Sequence, residues 1–369
     1  MGSKLNLKNY NYILFIMVSA LMLFGVYVIN FADESYTNKQ LIGVVAGLII
    51  MITVSLIDYH FICNFHTLLY IFNILLLVAV LIGGKTVGGA KRWFAVTDKL
   101  TIQPSELSKI ILIVFMATFL SKEFEEERIN RPLTIFKFAF FLGIPCALIF
   151  LQPDLSTTLA IVFVLVTMLY ISGISYKLIL TVLLFLVPII SIFIWYVQQP
   201  DQKLLYGHQV ERIMSFLYPS EYVDEQQANS VMAIGSGTLN GKAFQEELKG
   251  TTVTEANLVS EQQTDFIFSV IGEELGFRGS VLIIAIILII VLQCIRVARR
   301  ARDSLGMLLA SGMACLVGYQ SFINIGVATA VLPNTGIPLP FISYGLSSLI
   351  SISIGMGIVL NVSKQIKKY

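Results

Sequence analysis

Ionisable side chains stand at the edges of long apolar segments of this 369-residue chain, and their spacing suggests where chemistry could occur. Glu106 and Lys109 are three residues apart, so a helix would place them on one face, where they could form an ion pair. Asp265 opens a further apolar segment, and Arg92 precedes Trp93 in a stretch rich in cations. Charged groups are energetically costly at a membrane, so each of these residues is a candidate functional residue.

Five polar clusters contain these residues. They span 88–94, 103–109, 152–156, 263–268 with 272–276, and 333–345. Each cluster also has a purely structural explanation, such as helix capping by Asp154 or Asp265, or an ion pair of Glu273 or Glu274 with Arg278. The 333–345 segment, rich in proline and glycine, could be a re-entrant turn.

The composition is that of a membrane protein. Hydrophobic residues make up 56% of the chain and charged residues 13%, with a mean hydropathy of +0.81. Soluble domains have about a quarter of their residues charged, so this chain needs a lipid-facing surface. The net charge of +2 does not favour nucleic acid as a partner, and no set of His and Cys residues has metal-ligand spacing.

The apolar segments predict an all-α polytopic membrane protein that forms a single domain of about ten transmembrane helices over 1–369. The predicted spans are 12–30, 40–58, 65–83, 105–121, 134–151, 156–173, 177–197, 279–296, 305–331 and 341–361. The segment 265–296 would be about 48 Å long as one helix, so part of it must bend or lie outside the membrane.

One large loop, 198–264, is predicted between the seventh and eighth helices, with an amphipathic helix at 208–218 suited to the membrane surface. Short loops dense in lysine and arginine, such as 296–302, place both termini in the cytoplasm. All five polar clusters then fall at the outer face. The 84–104 loop is outside despite its cations, which either reach lipid phosphates or bind an anionic ligand.

The clusters occur in an order that resembles one family of membrane proteins. The matching segments are Gly-Gly-Ala-Lys-Arg-Trp-Phe, Gln-Pro-Ser-Glu-Leu-Ser-Lys, Gln-Pro-Asp-Leu-Ser, Gln-Thr-Asp-Phe-Ile-Phe-Ser-Val-Ile-Gly-Glu-Glu-Leu-Gly and Thr-Gly-Ile-Pro-Leu-Pro-Phe-Ile-Ser-Tyr-Gly. Together they closely resemble the shape, elongation, division and sporulation family, to which RodA and FtsW belong. The resemblance spans about 12–361, with departures from the family pattern at Thr101, Gln263 and Leu346.

This resemblance implies a peptidoglycan glycosyltransferase of the bacterial cytoplasmic membrane. Such an enzyme polymerises lipid II at the outer face during cell elongation or division, with a class B penicillin-binding protein as its partner. The family's essential aspartate maps to Asp265, and its arginine before tryptophan maps to Arg92. Its glutamate and lysine map to Glu106 and Lys109, and Ser343 joins them as a predicted substrate-binding residue.

In the predicted mechanism, Asp265 is the general base that takes the proton of the GlcNAc 4-OH of one lipid-linked disaccharide. That oxygen attacks the anomeric carbon of the other chain, and undecaprenyl pyrophosphate leaves. Arg92 and Lys109 would stabilise the anionic leaving group, with Glu106 orienting Lys109 and with Lys91 as a further cation. A divalent cation, Mg²⁺ or Mn²⁺, could assist at the pyrophosphate, although the sequence does not show its ligands.

Two other functions are compatible with the sequence. A transporter that flips lipid II would need polar groups at several depths of the membrane, whereas the segments 12–30, 40–58 and 177–197 are nearly free of charge. A scaffold that only binds a penicillin-binding protein would not need Asp265. Polymerisation assays with and without Asp265 distinguish these alternatives.

Overall fold

A computed structural model gives the architecture of the chain. It describes residues 9–87, 90–97, 100–199, 224–243, 252–254 and 258–365, with the single positions 207, 210, 214 and 218. Two glycines of the first polar cluster, Gly88 and Gly89, and most of the predicted amphipathic helix at 208–218 lie outside the described residues, as does the side chain of Lys91. The extent of the large loop over 198–264 therefore stays a prediction.

Helices dominate the fold, and twelve are described in full. They are α1 (Tyr12–Ala32), α2 (Glu34–Leu56), α3 (Tyr59–Asn64), α4 (His66–Gly83), α5 (Pro104–Glu125), α6 (Pro132–Phe150), α7 (Leu155–Ile171), α8 (Tyr176–Val197), α9 (Glu225–Ser236), α10 (Ile267–Arg300), α11 (Ser304–Ala328) and α12 (Leu346–Lys364). Every predicted span overlaps one of the long helices, which confirms the all-α membrane fold. Seven of the described helices are long and apolar enough to cross a membrane, so the exact number of crossings stays a prediction.

Side-chain caps explain where several helices begin. Asn11, Asp33, Asp154, Asp224 and Asp303 each stand at the N-cap of a helix and accept a hydrogen bond from a backbone N–H of its first turn. The capping interpretation of Asp154 is thereby confirmed. These five polar residues interrupt the apolar sequence and mark the positions at which the helices begin.

Small residues allow the two helices α2 and α12 to pack closely. A Cβ at Gly47 of α2 would lie 2.7 Å from the Ser353 side-chain oxygen of α12, and a Cβ at Gly357 would lie 2.8 Å from the Met51 carbonyl oxygen. Gly357 cannot take a larger residue unless the helices separate, because the close atom belongs to the backbone of α2, whereas at Gly47 only the Ser353 hydroxyl is close. Close approach through small residues is typical of helix association in membranes.

A small antiparallel sheet stands between α4 and α5, where the sequence analysis predicted only a loop. Its strands are β1 (Lys85–Val87), β2 (Ala90–Thr97) and β3 (Leu100–Ile102), in the order β1-β2-β3. Lys85 lies opposite Trp93, and Phe94 lies opposite Ile102. The aromatic and β-branched residues of this stretch favour strands, and the sheet fixes the backbone on both sides of Arg92.

The long helix α10 is broken at Gly276, whose φ of 65° and ψ of −165° are not helical. This confirms the prediction that the segment must bend. A straight helix would pair Phe277 N with the Glu273 carbonyl, and Arg278 N with the Glu274 carbonyl. At the break, all four of these backbone groups need other partners.

Residues 238–243, which follow α9, supply those partners. The four hydrogen bonds are Lys242 N to Glu273 O (3.0 Å), Ala243 N to Glu274 O (2.9 Å), Phe277 N to Thr238 O (2.9 Å) and Arg278 N to Leu239 O (3.3 Å). A Cβ at Gly276 would lie 2.4 Å from the backbone nitrogen of Gly241, so the two segments are in direct backbone contact. Irregular backbone within an apolar bundle is tolerated where protein groups satisfy it.

The connections between helices lie at two ends of the bundle. At one end, which we call the Asp265 end, Gln262 bonds the Ala32 carbonyl and Gln103 N bonds Ser347. At the other, the Asp303 end, Tyr59 and His60 bond Asp303. The charge pattern predicts that the Asp265 end is extracytoplasmic, and that orientation stays a prediction.

Candidate functional site

Asp265 lies in a turn directly before α10. Its backbone N–H donates to the Glu261 carbonyl (3.1 Å), and Thr264 N donates to the same oxygen (3.1 Å). The N-cap residue of α10 is Phe266, so the capping interpretation of Asp265 is wrong. The Asp265 side chain is half-buried, which leaves the carboxylate at the surface of the turn.

The 333–345 segment covers this turn. Gly336 has a φ of +70°, and a Cβ built on it would lie 3.1 Å from Oδ2 of Asp265. The Asn324 side-chain amide of α11 donates to the carbonyl oxygens of both Asp265 and Ile337, each at 2.8 Å. One buried amide therefore holds the backbone of Asp265 and the backbone of the 333–345 segment together.

Ser343, predicted to bind substrate, joins the same two segments. Its hydroxyl donates to the Thr264 carbonyl (2.6 Å) and accepts from Leu339 N (2.8 Å). Tyr344 N donates to the Gln263 carbonyl at 2.8 Å. Ser343 is 4% exposed, so the structure shows it as a residue that holds the Asp265 turn; substrate contact by Ser343 stays a prediction.

The Asp154 carboxylate contacts polar groups from the start of α5 and from the sheet. Its Oδ2 accepts from the Gln103 amide (3.1 Å) and from the Ser105 hydroxyl (3.3 Å), and it lies 4.0 Å from Nη1 of Arg92. Asp154 is 4% exposed, whereas the Arg92 side chain is 35% exposed. Arg92 is thus anchored at one end and open at the other.

One hydrogen bond connects the Asp154–Arg92 cluster to the segment that faces Asp265. The hydroxyl of Ser156, two residues after Asp154, donates to the carbonyl of Thr335. Thr335 directly precedes Gly336, which faces the Asp265 carboxylate. The 333–345 segment therefore contacts both the Asp265 turn and the start of α7 that carries Asp154.

Glu106 and Lys109 form the predicted ion pair, with Nζ 2.7 Å from Oε1. Their side chains are only 8% and 4% exposed, so the pair is buried in the bundle. Lys109 lies four residues beyond Ser105 on α5, which is about 6 Å further along the helix axis. It borders a small apolar pocket with Ile113 and Leu316. Substrate contact by either residue stays a prediction.

Sequence reasoning did not single out two residues of this site. Gln103 lay within a predicted cluster, but its bond to Asp154 depends on a residue 51 positions away. Asn324 is one of two amides in the apolar span 305–331, the other being Gln320. A polar residue inside a membrane span is a signal of function. Among the described residues, no group of three or more His, Cys, Asp or Glu side chains could hold a metal ion.

The arrangement can do a specific kind of chemistry. A half-buried carboxylate can accept a proton, and a guanidinium on the neighbouring segment can bind an anionic oxygen. The Nε of Arg92 is buried and has no hydrogen-bond partner among the described residues. The Arg92 side chain is 35% exposed, so other atoms of its guanidinium can reach a ligand oxygen.

Known proteins share both the sequence and the fold. A family profile described as "Cell cycle protein", for FtsW, RodA and SpoVE, matches residues 6–368. The chain belongs to the FtsW/RodA/SpoVE family. One member of this family, from Geobacter metallireducens, is named a probable peptidoglycan glycosyltransferase FtsW. It is 34% identical over 384 residues, which cover 99% of this chain and 98% of that protein.

Further relatives come from well-separated bacteria. The Escherichia coli K12 protein named peptidoglycan glycosyltransferase MrdB is 31% identical over 335 residues, covering 89% of this chain and 86% of that protein. The FtsW/RodA/SpoVE fold is also present in solved structures. The crystal structure of the Thermus thermophilus rod shape determining protein RodA superposes with a TM-score of 0.70 at 25% identity, covering 96% of each chain.

A second solved structure is that of a complex. A chain of a peptidoglycan synthase complex, described as coordinating polymerization and crosslinking, matches with a TM-score of 0.80 at 27% identity. The match covers 96% of this chain and 97% of that chain. The present chain and that chain therefore share their fold over nearly the whole length of both.

Proposed function

We propose that this protein is a peptidoglycan glycosyltransferase that polymerises lipid II into glycan strands, with Asp265 as the general base. The observation that carries the proposal is the half-buried Asp265 carboxylate, covered by the segment that also contacts the Asp154–Arg92 cluster. The relatives named peptidoglycan glycosyltransferase support the same activity.

In this mechanism, one lipid-linked disaccharide presents its GlcNAc 4-OH to Asp265. The carboxylate accepts the hydroxyl proton while the oxygen forms a bond to the anomeric carbon of the second lipid-linked chain. The bond from that carbon to the pyrophosphate breaks, and the leaving group departs with the electron pair. Half-burial suits this task because it keeps water from competing for the base while leaving it accessible to a sugar.

Arg92 is proposed to stabilise the leaving pyrophosphate. Its side chain is 35% exposed, and Asp154 approaches the guanidinium at one nitrogen only, at a distance of 4.0 Å. A charge-assisted hydrogen bond to the leaving oxygen would strengthen as negative charge develops. Lys109, paired with Glu106, is proposed to stabilise the same leaving group from a longer distance, because the pair lies buried on α5.

The finer parts of this proposal concern location, partner and cofactor. We place the protein in the bacterial cytoplasmic membrane with both termini in the cytoplasm, so that Asp265 faces outward. A class B penicillin-binding protein is the proposed partner, supported by the complex that couples polymerization and crosslinking. A role for Mg²⁺ or Mn²⁺ stays a prediction, and a metal titration of the purified protein tests it.

The test is polymerisation of lipid II by the purified protein carrying Asp265→Asn. We expect polymer formation to be abolished while expression and thermal stability persist. Asp33→Asn is the matched control, because Asp33 is a carboxylate at the same end and an asparagine can also cap α2. Full polymerisation by Asp265→Asn would refute the base assignment, and no polymerisation by the unaltered purified protein would favour a scaffold. Lipid II transport in liposomes without polymerisation would favour the transporter.

A further inference from the structure

Glu273 is fully buried on the first half of α10 and accepts five hydrogen bonds. Its Oε1 accepts from Lys242 Nζ (2.8 Å), Ser236 Oγ (3.1 Å) and Val253 N (2.8 Å). Its Oε2 accepts from the backbone N–H (2.9 Å) and the hydroxyl (2.6 Å) of Thr254. One carboxylate thus gathers donors from three separate stretches of the chain.

Arg278 is not the partner of Glu273, so the predicted ion pair between these two residues is wrong. The cation that Glu273 binds is Lys242, which lies 31 residues earlier in the chain. A partner five residues further along α10 would have made a local surface pair. The actual partner ties α10 to the segment that follows α9.

Stability alone is a weak explanation for such a group. A buried ion pair contributes little net stability compared with well-packed apolar residues, although removing one member is strongly destabilising. What a carboxylate with all its donors in place does provide is a defined geometry, because each donor must meet one of two oxygen atoms. Such a geometry can hold a neighbouring segment of the chain in place.

Two connections lead from Glu273 to Asp265. The first is α10 itself, whose first half begins directly after the Asp265 turn. The second passes through Thr254, whose carbonyl accepts from the Gln262 side-chain amide at 3.2 Å. Gln262 is 3% exposed and also donates to the Ala32 carbonyl at 2.7 Å, so it is fixed from two sides.

Gln262 belongs to the turn that carries Asp265. Its neighbour Glu261 provides the carbonyl that accepts from Asp265 N. Glu261 has a φ of 56°, a backbone conformation that needs support from its surroundings. A shift of the 252–254 segment would therefore move Gln262 and release this turn.

We infer that Glu273 is a positioning residue, whose carboxylate fixes the 252–254 segment and, through Gln262, the turn that carries Asp265. The catalytic part of this inference rests on the proposed function. The segment 238–243 also makes the hydrogen bonds at the break of α10. The Glu273 carboxylate and the broken helix therefore bind the same segment, because Lys242 belongs to it. Breaking the carboxylate contacts is then expected to displace Asp265 without unfolding the bundle.

The experiment compares Glu273→Gln with Glu273→Asp in the full-length protein. A glutamine presents an NH₂ group to either the Thr254 or the Lys242 donors, so part of the network must open. We expect the polymerisation rate per folded molecule to fall about 100-fold in Glu273→Gln, with little change in KM, since a misplacement of about 1 Å has such an effect. Glu273→Asp keeps the charge and is expected to recover part of the rate.

Asn361→Leu is the matched control for a loss of stability. Asn361 is a buried amide at the Asp303 end that bonds Tyr59 N (3.0 Å) and the Ser55 carbonyl (2.8 Å). We expect it to lower the melting temperature but to leave the rate per folded molecule unchanged. If Glu273→Gln likewise changes only the melting temperature, Glu273 is merely structural and the inference is overturned.

Two further measurements separate positioning from stability. The double variant Glu273→Gln/Gln262→Met is expected to lose no more rate than the worse single variant, because both act on one connection; multiplied losses would contradict this route. In an Asp265→Cys background, Glu273→Gln is expected to raise the rate of labelling by a water-soluble maleimide. An unchanged labelling rate would overturn the inference. Labelling does not depend on polymerisation, so it tests Glu273 even if Asp265→Asn disproves the proposed function.

Discussion

The two ends of the bundle hold their charged groups in different ways. At the Asp303 end, one histidine lies between two carboxylates: His60 Nδ1 lies 2.9 Å from Asp58 and its Nε2 lies 2.7 Å from Asp303. The Tyr59 hydroxyl adds bonds of 2.9 Å to both oxygens of Asp303. At the Asp265 end, neutral amides and hydroxyls hold the carboxylate of Asp154 and the backbone of Asp265.

This difference separates a cluster whose carboxylates are bound by protein donors from the predicted site. Burial, and next the Asp303 carboxylate, raise the pKa of Tyr59 well above its ordinary value of 10.0, so the phenol stays a donor to Asp303. Asp303 is also committed to capping α11. The Nε of Arg92 and the Nε of Arg128 are both buried without a hydrogen-bond partner among the described residues. Arg128, at the Asp303 end, nevertheless pairs with Glu123 and Glu126, whereas Arg92 approaches one carboxylate at 4.0 Å. The comparison teaches that the Asp303 carboxylate is held by side-chain donors, whereas the turn that carries Asp265 is held through its backbone carbonyls.

The largest effect is expected when the aspartate at each end is replaced by asparagine. Asp265→Asn should lower the polymerisation rate by at least the 10²- to 10⁴-fold typical of a lost general base. Asp303→Asn should lower the melting temperature while the rate per folded molecule is kept, because the asparagine still caps α11. Lipid II polymerisation and thermal unfolding in the same detergent measure both. Equal losses of rate at the two ends would break the comparison.

A smaller effect is expected when an arginine is removed at each end. Arg92→Met should reduce kcat/KM about 10- to 100-fold, the range expected for one charge-assisted hydrogen bond. Arg128→Met is the matched variant at the Asp303 end, where Arg128 Nε lies 3.3 Å from Glu123. It should leave kcat/KM unchanged. Steady-state kinetics with lipid II measures the pair, and an unaffected Arg92→Met enzyme would remove Arg92 from the mechanism.

A third, still smaller loss of rate is expected from crowding the Asp265 carboxylate. In Gly336→Ala, the new Cβ would lie 3.1 Å from Oδ2 in a left-handed backbone conformation that is unfavourable by about 1–2 kcal/mol. We expect about a 10-fold lower rate, because a difference of 1.4 kcal/mol corresponds to a factor of ten. Gly143→Ala is the control, since nothing lies within 4 Å of its Cβ position. If both variants polymerise equally well, Gly336 does not define the space at Asp265.

The smallest effect concerns pH at the Asp303 end. Burial acts to raise the pKa of Asp58, but hydrogen bonds from His60 and Gln365 outweigh it and hold the pKa below the ordinary value of 3.8. The ionised carboxylate therefore stabilises the fold above that value, and the contribution is lost as pH falls through the lowered pKa. We expect Asp58→Asn to melt at a lower temperature than the parent at pH 7, with the gap closing in acid. A gap that does not depend on pH would contradict this.

Local features of the sequence determined much of the fold. Apolar segments of membrane-spanning length predicted every long helix, because such a segment in lipid must satisfy its backbone internally. Asp154 could be placed at the start of a helix because an N-cap depends on three neighbouring residues only. The pair of Glu106 and Lys109 was predictable for the same reason, since its partners share one helical turn. The polar motifs were sufficient to recognise the family.

The tertiary structure alone decided how distant groups meet. The sequence could not show that Lys242, rather than the nearby Arg278, neutralises Glu273, or that Gly336 faces Asp265 across 71 residues, because loop closure and packing choose these partners. Nor could it show that Arg92 stands in a small sheet and meets Asp154. A helix and its caps follow from neighbours along the chain, whereas a site follows from segments that only the packed bundle brings together.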